Sequence, residues 1–305
     1  MAMHKLNRDF FLYLSKNKLL NKNAKRWGLK LGASKVVAGL TIEDSLQPLQ
    51  ELNESGRMIT LDHLGEFVYE EEEAIEAFQS SMEALDFIKE NNIDCYLSVK
   101  LTKLGLDVDE GLCMKHIRAL IERAKQYDTM INIDMEDYAH YDQTLDLLEE
   151  LRKDYDNIGI VLQAYIHSGI EDTNRLKGMK IRFVKGAYKE DASVAIQDKK
   201  KIDEHMLEMI KTHMLNESYT AIATHDHEMI EKVKTFASEN GIPREMFEFQ
   251  MLYGFRNDVQ LQLVKDGYRF RTYVPYGKDW YGYFMRRLAE RPQNVAFAFR
   301  GMLSK

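Results

Sequence analysis

Cysteine and proline are scarce in this chain, with two and four among 305 residues. Cys95 and Cys113 lack CxxC spacing, and Cys95 lies inside an apolar run, so two free thiols in a reducing compartment are expected and no zinc site is implied. Positive charge is also in deficit. Lys and Arg total 42 against 49 Asp and Glu, a formal net charge of −7, which argues against nucleic acid as a partner because that would need a basic stripe. No apolar run approaches the roughly 18 residues of a membrane span, and the first twenty residues alternate charge and aromatics too closely for a signal-peptide core. A cytoplasmic protein is expected, with at most peripheral contact at the inner face of a membrane. There is no GxGxxG, so a Rossmann dinucleotide site has no support. There is no HExxH either. His225 and His227 would point to one side of an extended segment, but nearby carboxylates are dispersed, and no metal is expected.

What the chain does contain is a globular composition, 45% hydrophobic, 10% aromatic and 30% charged, long enough for one large barrel. Residues 1–57 read as a helical segment. Phe10, Phe11, Leu12, Leu14, Leu19 and Leu20 form one apolar stripe, and Thr41-Ile42-Glu43-Asp44 resembles a helix start ahead of Leu46, Leu49 and Leu52. From Met58 the period changes. Apolar runs at 58–62, 93–99, 130–133, 158–162, 179–184, 221–223, 247–249 and 268–272 each end in polar residues, and amphipathic helical stretches separate them. Apolar strands alternating with helices imply parallel pairing, and eight such units without a long gap imply an α/β fold, a (β/α)8 TIM-type barrel over 58–305 with the N-terminal helices packed on it. An open doubly wound sheet is the competing architecture.

The barrel reading gathers the polar residues. Lys100, Asp134, Gln163, Lys185, Tyr188, Thr224, His225, Gln250 and Tyr273 fall at carboxyl ends of strands and with Arg182 would ring one mouth, the face where barrels place their chemistry. The stretch 271–291 joins them: an aromatic, β-branched run turns at Pro275 and Gly277 and continues as a helix. There Tyr283, Arg286, Arg287 and Glu290 share a face. Two guanidiniums beside aromatic rings suit a small carboxylate, since arginine presents a rigid bidentate fork; on its own the pair also reads as a solvated basic turn. Lys185-Gly186-Ala187 permits close backbone approach beside a cation, as anion cradles do. A small anionic substrate and an anionic cofactor are suggested. Lys100 or Lys185 as the Schiff-base lysine of a class I aldolase is a rival, although Asp134 and the arginine pair would keep Lys100 charged. A non-catalytic amino-acid-binding barrel is another.

Six segments stand in order along the chain: Thr60-Leu61-Asp62-His63-Leu64-Gly65-Glu66, Leu97-Ser98-Val99-Lys100-Leu101-Thr102, Ile131-Asn132-Ile133-Asp134, Arg182-Phe183-Val184-Lys185-Gly186-Ala187-Tyr188, Ala223-Thr224-His225 and the closing run from Tyr273 to Asn294. Together they resemble the proline dehydrogenase family of flavoenzymes in its small monofunctional bacterial form. The resemblance implies a distorted (β/α)8 barrel holding noncovalent FAD and oxidising L-proline to 1-pyrroline-5-carboxylate, the first step of proline degradation. The electrons would pass to a membrane quinone by transient peripheral contact. It further implies that Lys100, Arg286 and Arg287 bind the proline carboxylate, that Tyr273 and Tyr283 pack on the ring, and that Asp134 is the catalytic carboxylate. Glu66 would pair with the arginines. Arg182 would meet the flavin near its reactive nitrogen, and Met135, Gln163, Lys185, Gly186, Ala187, Thr224 and His225 would line the cofactor. Two positions depart from the family pattern: Phe183 stands where leucine is common, and Met135 where a smaller residue is often seen.

Overall fold

The computed structural model describes residues 33–65 and 67–290, the segment 286–290 by its backbone alone. The helical expectation for residues 1–32 and the position of Glu66 lie outside the described residues. Eight parallel strands close into a barrel in sequence order: β1 Met58–His63, β2 Cys95–Val99, β3 Ile131–Ile133, β4 Ile158–Gln163, β5 Lys180–Val184, β6 Thr220–Ala223, β7 Phe247–Leu252 and β8 Arg269–Tyr276. The open sheet is thereby excluded, because β8 pairs with β1 from Met58↔Arg271 to His63↔Tyr276. Helix α1 (Leu46–Glu54) precedes β1. The others alternate with the strands: α2 Glu71–Glu90, α3 Glu110–Gln126, α4 Tyr141–Leu151, α5 Gly169–Arg175, α6 Lys199–Leu215, α7 His227–Glu239, α8 Asn257–Lys265 and α9 Trp280–Glu290. Three of these helices are started by aspartates in extended backbone. Asp109, Asp198 and Asp226 accept from the first-turn amides of α3, α6 and α7, satisfying donors that a helix start leaves open.

Alternation along the strands divides the side chains into two populations. Ile59, Leu61, Leu97, Val99, Ile131, Ile133, Ile160, Leu162, Ile181, Phe183, Ile222, Phe247, Phe249, Phe270 and Val274 belong to one buried apolar cluster with helix residues such as Ile117, Leu120, Leu148, Met206 and Ile230. The main core therefore lies between barrel and helices. The intervening positions face the barrel's interior, and there the expectation of strands apolar throughout fails. Asp62, Ser98, Asn132, Arg182, Glu248, Gln250 and Arg271 are all buried, and most of them enter the interior contacts described below. The strand runs are legible because their outward positions are apolar, while the inward ones hold charge.

At the amino-terminal end of the barrel, Glu248 is fully buried. It accepts from Arg271 Nε (2.9 Å), Tyr219 (2.7 Å) and Gln250 Nε2 (2.6 Å). Arg271 also donates to the Ile59 carbonyl at 2.7 Å and lies over the Tyr96 ring, 3.9 Å from its centroid. Lys180 sits between the rings of Tyr96 and Tyr219, at 4.6 and 4.4 Å. Such a floor is tolerable because every charge has a partner. Burial raises the Glu248 carboxyl, but Arg271 and Lys180 outweigh it and hold the group at about 2.

Pro275 is not a turn residue. It lies inside β8, opposite Asp62 of β1, beyond the point where β7 stops pairing at Leu252↔Tyr273. Residues 38 and 39 take up that edge: the Pro275 carbonyl accepts from the Ala38 amide and the Gly277 amide donates to Gly39, both at 2.9 Å. A proline is admissible where the ladder on one side has ended. The same N-terminal segment packs on α9, with Ala33, Val36, Val37 and Leu64 in a second apolar cluster with Trp280, Tyr281, Tyr283, Phe284 and Met285.

Candidate active site

At the carboxyl end of the barrel the inward positions of β1, β2, β3, β5 and β8 converge on Asp134. This carboxylate accepts from Ser98 Oγ (2.5 Å) and Tyr273 Oη (2.9 Å), pairs with Arg182, and lies 3.5 Å from Lys100 Nζ. Lys100 in turn pairs with Asp62 at 2.9 Å. Arg182 donates to Ser98 Oγ at 3.2 Å and its guanidinium carbon lies 4.9 Å from the Tyr273 ring centroid. Electrostatics follow from this packing. Burial pushes the Asp134 carboxyl up, but Arg182, Lys100 and the two hydroxyl donors outweigh it, so it stays below the ordinary carboxylate value. For Lys100, burial favours loss of the proton and Asp62, Tyr273 and Asp134 more than reverse that, holding it well above its usual value. Burial and the two carboxylates likewise keep Tyr273 a neutral phenol. The Lys100 ammonium is thus favoured, the opposite of what a Schiff-base lysine needs.

A cavity of about 600 Å³ opens above this network. Lys100, Asp134 and Tyr273 line one part of it with Tyr283 of α9; Met135, Gln163, Arg182, Lys185, Gly186, Ala187, Thr224 and His225 line the rest. Gly186 has φ +116°, and a Cβ there would fall 2.2 Å from the Tyr165 ring, so the turn can hold no other residue unstrained. Lys185 pairs with Asp203 and, at 3.3 Å, with Asp226, the cap of α7. Gln163 donates to the carbonyls of Met135 and Glu136, at 3.2 and 2.6 Å. Its Oε1, like Nη1 of Arg182, is buried without a protein partner among the described residues. Two orphaned polar atoms beside one cavity are what a bound polar ligand would satisfy.

Residues 45–300 match the family described as proline dehydrogenase. The chain belongs to the proline dehydrogenase family. It is 47% identical to proline dehydrogenase 1 of Bacillus subtilis subsp. natto over 300 residues, 98% of this chain and 99% of that protein. With the proline dehydrogenase of Deinococcus radiodurans it shares 40% over 286 residues, 92% of this chain and 91% of the other. The crystal structure of proline utilization A from Bdellovibrio bacteriovorus, inactivated by N-propargylglycine, superposes with a TM-score of 0.80 at 25% identity, covering 88% of this chain and 34% of that longer one.

In this proline dehydrogenase most residues singled out from the sequence meet at one cavity, and three cannot be placed by their side chains. Arg286 and Arg287 lie on α9 three and four residues after Tyr283, but only their backbone is described, and Glu66 is outside the described residues. Phe183 points away from the cavity, packing edge-on against His213 behind β5 with centroids 5.3 Å apart. Asp62 and Ser98 were not singled out, and they hold Lys100 and Asp134 respectively. Their signal was positional: a polar residue at each inward step of an apolar strand. Cys95 and Cys113 are buried and free.

Proposed function

We propose that this enzyme oxidises L-proline to 1-pyrroline-5-carboxylate with FAD held in the cavity. The observation that carries the reading is the Asp134–Arg182–Lys100–Tyr273 network bordering a cavity whose lining includes buried polar atoms, Gln163 Oε1 and Arg182 Nη1, without partners among the described residues. The donor set suits FAD: Arg182 offers a cation, Gln163 an acceptor, and the Lys185-Gly186-Ala187 turn a close backbone approach. When bound, the flavin supplies the acceptor for a hydride from C5 of proline.

The chain's own residues then have defined work. The charges of Asp62, Lys100, Asp134 and Arg182 sum to zero, so an added carboxylate needs further cations, and Arg286 and Arg287, with Glu66 as their counter-charge, are the residues assigned to supply them. Tyr273 and Tyr283 bound the pyrrolidine ring and exclude water. Asp134, held ionised, faces the positive charge that develops as the C5–N bond gains double-bond character, which is where a preorganised carboxylate lowers a barrier. Arg182 favours negative charge on the reduced acceptor. Reoxidation by a membrane quinone completes the proposal through peripheral contact; among the described residues no helix is long and apolar enough to cross a membrane.

The test is spectroscopic and kinetic. Purified protein should absorb near about 450 nm, as flavins do, and bleach on adding proline. N-propargylglycine, which presents a secondary amine and a carboxylate as proline does, should abolish the activity. Arg286→Met and Arg287→Met should each raise KM for proline at least about tenfold with flavin content unchanged. A colourless protein that gains nothing from added FAD would overturn the reading.

A further inference from the structure

Lys103 takes no part in the network just described, yet it reaches the backbone on which that network's rim depends. It lies in the connection between β2 and α3, three residues past Lys100. Its ammonium donates to the carbonyls of His63 (2.6 Å) and Leu64 (3.3 Å), the last residue of β1 and the first of the loop that follows. The next residue, Gly65, has φ +134°, and a Cβ on it would lie 3.3 Å from Lys103 Cε. The lysine stem thus runs against the loop where it bends. Leu64 and Gly65 both line the cavity, and the Leu64 side chain belongs to the cluster formed by Trp280, Tyr283 and Phe284 of α9. The neighbouring Thr102 fastens the same loop further on: its hydroxyl accepts from the Phe67 amide at 3.1 Å and donates to Glu136 at 2.5 Å.

We infer that Lys103 is a positioning residue for substrate binding, clamping the loop after β1 against the cavity and, through Leu64, setting that loop in register with α9. The inference rests on the reading of the cavity as the proline site. Its physical basis is that two carbonyls held by one ammonium form charge-assisted bonds, roughly twice as strong as neutral ones. The loop and α9 are also the segments that carry Glu66, Arg286 and Arg287, so a loop that drifts would loosen the grip on the carboxylate without touching the reacting carbon.

The surroundings of Lys103 make the clamp sensitive to pH. Among the described residues the charged groups facing it are Asp62 and His63 from β1, Lys100 from the end of β2, and Asp279 just before α9. Burial, reinforced by Lys100, outweighs the two aspartates and brings the Lys103 ammonium down to about 8. His63 is held neutral by burial and by Lys103 itself, at about 4. Lys100 and Tyr273 are both displaced upward, away from this range. An anionic ligand favours protonated Lys103, so affinity is full below that pH and declines as the amine loses its proton.

The experiment is calorimetric titration of the FAD-loaded enzyme with tetrahydrofuran-2-carboxylate, in which a ring oxygen replaces proline's titrating amine. Wild type should bind it evenly below about pH 8 and about tenfold more weakly well above it. Lys103→Met should bind about tenfold more weakly at neutral pH and show no step, with KM for proline raised and kcat changed less than about twofold. Lys103→Arg should bind like wild type and lose the step, because a guanidinium keeps its proton throughout. Unchanged affinity in the methionine variant, a step that persists in the arginine variant, or a wild-type affinity flat across the range would each overturn the inference; the last two stand even if Lys103→Met does not fold. If wild type fails to bind the ring carboxylate at any pH, the proline-site reading falls and this inference falls with it.

Discussion

Tyr273 makes two contacts that two substitutions can separate. Its hydroxyl donates to Asp134 Oδ2 at 2.9 Å, and its ring lies 4.9 Å from the Arg182 guanidinium carbon. Tyr273→Phe removes the first and keeps the second. Hydrogen bonds to charged groups contribute about 1.5–3 kcal/mol; Asp134 retains Ser98, Arg182 and Lys100, so the lower end applies and in a chain of 305 residues the melting temperature should fall by about 2–3 °C. Tyr273→Ser also removes the ring and its cation–π contact, about 0.5–2 kcal/mol, and opens space beside the substrate. If the ring bounds C4 of proline, a hydroxyl placed there is crowded and lacks a partner, at a cost of about 1–3 kcal/mol. Wild type should therefore prefer L-proline to trans-4-hydroxy-L-proline by about 10- to 100-fold in kcat/KM, and the phenylalanine variant should keep that ratio. The serine variant should narrow it, mainly by slowing proline. Dye-reduction kinetics of the three proteins with both substrates decide the matter. A wild-type ratio near one, or a phenylalanine variant that narrows the ratio as far as serine does, would show that the ring does not face C4.

Three further outcomes follow from the same geometry. Glu248 is depressed from 4.5 to about 2 in the folded protein, so its contribution of about 3 kcal/mol is present above pH 4.5 and lost as pH falls toward 2. Glu248→Gln should accordingly flatten the acid limb of a stability-against-pH curve, and an unaltered limb would contradict the assignment. Asp134→Asn strands the buried Arg182 charge, while Lys100 keeps Asp62, and should lower the unfolding free energy by about 3 kcal/mol in urea titrations; a loss below about 1 kcal/mol would mean the guanidinium finds another partner. Gly186→Ala forces both a positive φ and a displaced Tyr165 ring, so flavin content after purification should drop along with a stability loss of about 1–3 kcal/mol. Full flavin occupancy in that variant would detach the turn from cofactor binding.

The barrel was legible because apolar runs recur with polar residues at their carboxyl ends, and closure puts those ends on one rim. Asp134 and Tyr273 were found for that reason, whereas Arg182 lies inside β5. What stayed hidden was the polar interior. Glu248 lies between Phe247 and Phe249, whose apolar character dominates the strand signal, and partners such as Tyr96 and Lys180 are far away in sequence. Pro275 misled because a proline before a glycine ordinarily marks a turn. The segment at residues 38–39 that accommodates it along β8 is contributed from the opposite end of the chain. Lys103 carried no signal at all, since a lysine in a loop reads as solvated until its acceptors are seen.

The charged floor of the barrel also constrains how the chain can reach this shape. Glu248 comes from β7, Arg271 from β8, Lys180 from β5 and Tyr96 from β2, and Arg271 is finished by a carbonyl of β1. A fragment ending after β4 would own Tyr96 and the Ile59 carbonyl without the guanidinium that covers them. A fragment beginning at β5 would own both cations and the glutamate with that inner surface open to water. Neither half has a dry, self-sufficient interior, so ring closure between β8 and β1 and neutralisation of the floor become one cooperative event. Cutting the gene between β4 and β5 should then give pieces that are soluble only when co-expressed, and a circular permutation there should succeed where a truncation cannot.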